Sequence, residues 1–163
     1  MLKDDGILAF SYHHSRAEGW ESVAQAVCRA GFSFINAQPV KAEMSGATPK
    51  SQAEEPIQLD TIFVCRKTAQ VRQPAVPLDE AISRAFEVAV SKEERLRAAG
   101  FKLSANDLMV IYSGQALAAV GHTTDTKVVQ EAIGGITLRL GLKLRREPVG
   151  IETVSGVTHA VGF

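Results

Sequence analysis

The stretch ILAFSYHHSRAEGWESVAQAVCRAGFSFINAQPV, residues 7–40, carries a strand, helix and strand pattern. Apolar runs at each end favour β-strands. Between them, helical spacing places five residues on one buried face: Trp20, Val23, Ala24, Val27 and Cys28. Gly31 follows as a suitable end for this helix. Such a unit is typical of a βαβ crossover with parallel strands, so the stretch predicts an α/β fold.

The start of this helix carries a second signal. Ser15-Arg16-Ala17-Glu18 matches the Ser-x-x-Glu capping box, in which serine and glutamate side chains bond each other's backbone amides. We expect the helix to begin there.

A third strand is predicted at LDTIFVCR, residues 59–66, after a polar segment from 41 to 58 that reads as a long loop. Its nearly continuous apolar run is typical of a central strand. The loop connection predicts that it runs antiparallel to the second strand.

A change of pattern near residue 70 predicts two parts, an α/β part over 1–70 and a mainly helical extension over 71–163. Helical spacing runs from Leu78 to Gly100 and, after Ser104, to Gly121. A shorter helix is expected from Thr126, capped by Asp125 or Thr124, to Ile133, ending at Gly134-Gly135. The tail from residue 136 has no assignment.

Composition excludes several classes of protein. The chain has 163 residues, 45% of them hydrophobic, and a formal net charge of zero, so no global field attracts nucleic acid or membrane. Cys28 and Cys65 have no CxxC partner, which favours two reduced thiols. Without an apolar segment of about 18 residues or a signal peptide, we expect a cytoplasmic protein.

The end of the first strand holds Tyr12, His13 and His14. Ligands of parallel α/β sheets collect outside the carboxyl ends of strands, so these residues are candidates for a binding site. The alternative is a solvated loop. Adjacent strand residues point to opposite faces, so we expect no metal site from the two histidines.

Three segments together resemble a known family: LKDDGILAFSYHH, GWESVAQAVCRAGFSFINAQPVKAEM and LDTIFVCRK. Over residues 2–67 they are similar to the C-terminal part of class I S-adenosylmethionine-dependent methyltransferases, in particular the adenine-specific DNA methylases. The resemblance implies a partial Rossmann-like sheet, its last three strands with a crossover helix, in which the final two strands are antiparallel. The helices from 78 to 120 look like that group's helical extension.

The family's two main motifs are absent from this sequence. It has neither a Gly-rich cofactor turn after a strand nor an (Asp/Asn/Ser)-Pro-Pro-(Tyr/Phe) motif, and its six prolines are never adjacent. The resemblance therefore implies S-adenosylmethionine as the cofactor but does not lead us to expect binding by this chain alone. We expect no catalytic residue here, no activity alone, and a complementary half as partner.

The resemblance also implies site residues. Tyr12, with the loop around Lys41, Glu43 and Met44, is expected near a flipped DNA base, and the two histidines lie beside it. Met44 has the alternative role of filling a gap under the loop. Four basic residues are candidates for phosphate contact, with a solvated helix face as the alternative: Arg139, Lys143, Arg145 and Arg146.

Two other interpretations remain open. The chain is either a repurposed half-domain, acting as an oligomeric DNA-binding or protein-interaction module, or an unrelated small α/β protein. What pairs with residues 7–12 separates the interpretations: a strand from another chain supports either a methyltransferase fragment or a half-domain, and a strand from residues 149–161 supports an unrelated protein.

Overall fold

A computed structural model describes residues 2–43, 57–72 and 76–147. Along the chain this part contains β1 (Ile7–Tyr12), α1 (Ala17–Arg29), β2 (Phe32–Lys41), β3 (Leu59–Lys67), a short 3₁₀ turn (Thr68–Gln70), α2 (Leu78–Ala98), α3 (Ala105–Val120) and α4 (Thr126–Arg146). The α/β class predicted from the sequence is confirmed. No helix in these ranges is long and apolar enough to cross a membrane.

The strand order is β1-β3-β2, and β3 is antiparallel to both neighbours. Therefore β1 and β2 run in the same direction, but they are not adjacent. The crossover through α1 leaves a gap of one strand, which β3 fills. The predicted antiparallel return of the third strand and its central position are confirmed, whereas the order is not that of an all-parallel Rossmann sheet.

The helices cover one face of the sheet. Alternate residues of β3 are buried on this face, among them Thr61 and Phe63. The Thr61 hydroxyl donates to the Val110 carbonyl of α3, and the Phe63 ring meets the edge of Trp20 of α1. One hydrophobic core joins the sheet to all four helices of the described ranges, so the helical part packs directly on the α/β part.

Two predictions about helix ends were wrong. The Ser15 capping box does not form, because α1 begins at Ala17 and Arg16, which makes no side-chain capping bond, takes the N-cap position; the Arg16 amide donates to the ring of His14. The last helix does not end at Gly134-Gly135 but continues to Arg146, so residues 136–146 of the unassigned tail are helical. Burial of Ile136 and Leu140 outweighs the cost of about 1 kcal/mol for each glycine.

Other local predictions are confirmed. Gly31 follows α1 with φ of 83°, a left-handed conformation that suits glycine. Ser104 and Asp107 form a reciprocal capping box at the start of α3, and Asp125 caps α4 by accepting from the Lys127 amide. These signals act within four residues, which is why the sequence reveals them.

Candidate functional site

The outer edge of β1 is open in the described part of the chain. On its inner side β1 pairs with β3 from Ile7 opposite Arg66 to Tyr12 opposite Thr61. On its outer side no described strand or side chain satisfies its backbone groups, and residues 149–161, the alternative predicted partner, lie outside the described residues. Exposed edges of this kind are templates for pairing with another chain.

The outer edge of β2 is occupied instead. The Phe34 amide donates to the Gly121 carbonyl at 3.1 Å, after the end of α3. The Ala37 carbonyl accepts from Gln115 Nε2 at 2.7 Å and from Lys92 Nζ at 2.5 Å. Pro39 removes one more backbone donor from this strand. The helices therefore close the β2 edge and leave the β1 edge available.

The face of the sheet opposite the helices is also uncovered by the described ranges. Ile7 is 50% exposed, and Ala9 and Ser11 are exposed beside it. In the next strand Ile62 is exposed at the same face, opposite Ser11. This apolar surface adjoins the open edge, and together they form the open side of the sheet.

Tyr12 lies at the end of β1 but does not offer a free stacking ring. Its hydroxyl donates to the Gly19 carbonyl at 2.7 Å, and its ring makes an edge contact with Trp20 at 5.2 Å. Partial burial raises the pKa of Tyr12 above 10.0. The residue therefore fixes the β1 end against α1, and only its remaining surface is available to a ligand.

The two histidines have separate partners. His13 Nδ1 bonds the Asp60 carboxylate of β3, while His14 Nδ1 accepts the Arg16 amide at 2.9 Å. The His14 ring lies against Gly19, where a Cβ would approach Cγ of His14 to 2.2 Å. Gly19 is thus required for this close contact, and His14 fills the turn between β1 and α1.

Lys41 and Glu43 lie at the same end of the sheet as His13. Lys41 ends β2 opposite Leu59, Glu43 follows, and both are exposed. Because β1 and β2 run in the same direction, their carboxyl ends share this side, with Asp60 of β3 between them. The fold therefore brings the two predicted groups to one end of the sheet, while Met44 lies outside the described residues.

The four candidate DNA-contacting residues divide into two pairs. Arg139 donates to Ser83 and Asp79 of α2, both at 2.7 Å, and Lys143 bonds Glu93 and Glu147. Arg145 and Arg146 are exposed at the end of α4 and have no ion pair with a described residue. Only the second pair is free of partners among the residues that the structure describes.

A buried charge in α2 was missed from the sequence. Glu93 is 2% exposed and accepts from Tyr112, Arg97 and Lys143, with the Tyr112 hydroxyl at 2.6 Å. Burial alone would raise the pKa of Glu93, but these three hydrogen bonds hold it below 4.5. A signal was present, since Glu93 continues the spacing of the apolar positions Ile82, Phe86 and Ala89.

A second missed feature is a cleft of about 540 Å³ between α2, α3 and the start of α4. Its wall is mainly apolar, with polar groups from Arg84, Gln115 and His122. Gln115 already donates to the Ala37 carbonyl, and Arg84 pairs with Glu80.

Within the described ranges, no cluster of three or more potential metal ligands occurs.

Comparison with known proteins returns no relative. No family model, no curated protein and no solved structure matches this chain. The resemblance to DNA methylases thus stays a prediction from the sequence.

Proposed function

We propose that this chain is the closing part of an adenine-specific DNA methyltransferase fold, acting with a complementary half that supplies the cofactor-binding and catalytic motifs. The observation that carries the proposal is the open outer edge of β1, beside a β2 edge that the helices close. A sheet finished on one side and open on the other fits continuation by strands from outside the described chain.

Strand directions support the same proposal. The resemblance implies a crossover helix followed by an antiparallel final pair, and here α1 joins β1 to β2 while β3 pairs antiparallel with β2. The uncovered apolar face next to Ile7 provides surface for a helix of the complementary half to cover.

S-adenosylmethionine does not fit the residues of this chain. The turn after β1, Tyr-His-His-Ser-Arg, has no glycine through which backbone amides could approach a ligand. The His14 ring already occupies the space over Gly19 in that turn. Cofactor binding therefore belongs to the complementary half.

The role proposed for this chain lies at the carboxyl ends of β1 and β2. An enzyme that modifies a base must hold it outside the helical stack, against apolar or aromatic surface and hydrogen-bonding groups. His13 with Asp60, and exposed Lys41 and Glu43, would provide the polar groups at this end. Arg145 and Arg146 are the basic residues most available for phosphate contact.

The first test is calorimetric titration of the purified chain with S-adenosylmethionine. We expect no binding, because the cofactor turn is absent. Saturable micromolar binding by the chain alone would overturn the proposal, since it would require a site of another kind.

The second test is co-expression with proteins of the same genome that contain both missing motifs but end after the fourth strand. We expect a complex that transfers tritiated methyl groups from S-adenosylmethionine to adenine in DNA. Ile7→Glu, on the open side, should abolish the complex. Val88→Glu, an exposed residue of α2, is the matched control and should not. If no such protein forms a complex with the chain, the proposal fails.

A further inference from the structure

The outward face of α4 carries an apolar centre between two opposite charges. At its middle Leu138 is 66% exposed, the highest value for a large hydrophobic side chain in the described ranges, and Leu142 is exposed one turn later. Glu131 lies seven residues before Leu138 and Arg145 lies seven residues after it. Buried residues such as Ile136 and Leu140 occupy the other side of the helix.

Helical geometry places these groups in one line. At about 100° per residue, a separation of seven residues returns to within about 20° of the starting direction and advances about 10.5 Å. Glu131, Leu138 and Arg145 therefore form a straight row, which we call the α4 stripe. Leu142 lies on one shoulder of the row, and Gly134 and Gly141 lie on the other.

The two glycines leave room for a neighbouring surface. A Cβ at Gly134 or Gly141 would meet no atom within 4 Å. Gly135 differs, since a Cβ there would approach Ile82 of α2 to 2.9 Å. The space at Gly134 thus belongs to the outward face and is not used by the core.

The charges at the ends of the stripe have no partner among the described residues. Neighbouring polar groups of α4 are engaged within the molecule: Gln130 donates to Glu21, and Arg139 bonds Asp79. Glu131 and Arg145 make no such contact. They remain available for pairing with another molecule.

We propose that the α4 stripe is a self-association surface, on which a second copy of this chain docks its own α4 in antiparallel orientation about a two-fold axis at Leu138. Around that axis each residue faces the one equally distant on the other side of Leu138. Leu142 then lies over Gly134 of the second copy, and Glu131 faces Arg145.

Charge complementarity selects both the occupant and its direction. When the second α4 runs in the opposite direction, the negative end of each row lies beside the positive end of the other. Each dimer then contains two Glu131 to Arg145 pairs. A parallel pairing would place Glu131 against Glu131 and Arg145 against Arg145, which is repulsive. This dimer does not use β1 or the open side of the sheet, so it is independent of the proposed complementary half; it does engage Arg145, which leaves Arg146 as the basic residue for phosphate contact.

Sedimentation velocity of the full chain between about 1 and about 300 µM tests the proposal, because a small interface gives micromolar affinity. We expect a concentration-dependent dimer. Leu138→Glu should raise its dissociation constant at least about tenfold, and Leu138→Ala, a milder change, should raise it less. Circular dichroism checks that each variant is folded.

A charge exchange makes the test specific. Glu131→Arg and Arg145→Glu should each raise the dissociation constant about threefold or more, because each puts like charges together. The double variant should restore it to within about twofold of the original. Ile7→Glu is the control on the open side of the sheet and should leave this dimer intact.

Three results would overturn the proposal. One is a monomer at every concentration. Another is a dimer that Ile7→Glu removes while Leu138→Glu retains it, which would place association at the sheet edge. The last is a double charge variant no better than either single one.

Discussion

The two edges of this three-stranded sheet have opposite surroundings. At β2, the Phe34 amide and the Ala37 carbonyl are bonded by Gly121, Gln115 and Lys92, which come from the helical part of the chain. At β1, no described residue bonds the outer backbone groups. The helical extension therefore finishes one side of the sheet, while the other side has no partner among the described residues.

The cause of the difference is the placement of α2 and α3. Both helices reach the β2 side, and α3 presents Gln115 there from a buried position. On the β1 side the described part of the chain supplies only α1, which packs on the covered face through Trp20. Changes in the helices should therefore affect the β2 edge strongly, and changes on the outer part of β1 should affect stability little.

The largest expected effect is at Glu93, next to Lys92 in the helix that closes the β2 edge. Glu93→Gln replaces a buried carboxylate that accepts charged hydrogen bonds from Arg97 and Lys143, while Lys143 keeps its pair with Glu147, so we expect a loss of about 2 kcal/mol in the free energy of unfolding at pH 7. Urea denaturation measures this loss. Glu80→Gln, in an exposed pair with Arg84, is the control and should change it by less than about 1 kcal/mol.

The same variant has a defined pH dependence. Since the folded-state pKa of Glu93 lies below 4.5, its stabilising contribution is complete above that pH and is lost as the pH falls through the folded value. The difference between the original chain and Glu93→Gln should therefore shrink below about pH 4. A difference that stays constant into acid would contradict the role of this carboxylate in holding the helices.

An intermediate effect is expected from Gln115→Leu, which removes one of the two donors to the Ala37 carbonyl. The loss should be about 1 kcal/mol, since Lys92 still satisfies that carbonyl. Gln130→Leu is the matched control: its amide makes an exposed hydrogen bond to Glu21, and we expect a change within about 0.5 kcal/mol. If both variants lost the same free energy of unfolding, the hydrogen bond at the β2 edge would be no more important than one on the surface.

The smallest effect is expected from Ala9→Lys on the exposed face of β1. Because Ala9 is exposed and does not belong to the hydrophobic core, the free energy of unfolding should change by less than about 0.5 kcal/mol. Thermal and urea denaturation provide the measurement. A loss above about 1 kcal/mol would mean that this face is already covered in the isolated chain.

The sequence predicts well the features that arise from neighbouring residues. The strand, helix and strand pattern, the capping of α3 by Ser104 and the turn at Gly31 depend on contacts within a few positions. The failures at Ser15 and at Gly134-Gly135 occurred where another local contact, in the first case, or core burial, in the second, competes with the predicted signal. His14 takes over the Arg16 amide, and Ile82 fills the groove at Gly135.

Prediction of the candidate site was partial for a similar reason. Tyr12, His13 and Lys41 belong to separate segments, and the expectation that they share one region depended on parallel β1 and β2. The central position of β3 was predicted, but no local pattern indicated that its Asp60 would bond His13. It also could not separate Arg139 and Lys143, which hold helices together, from Arg145 and Arg146.

By itself, the sequence determined the elements, the α/β class and the absence of the cofactor and catalytic motifs of DNA methylases. Those properties follow from local spacing and residue type. Only the tertiary structure decided which sheet edge is closed, which charges are buried and which leucines remain outside. Such outcomes depend on contacts between residues far apart in the chain, such as Gln115 with Ala37 and Lys143 with Glu93, and packing selects these contacts only when the whole core forms.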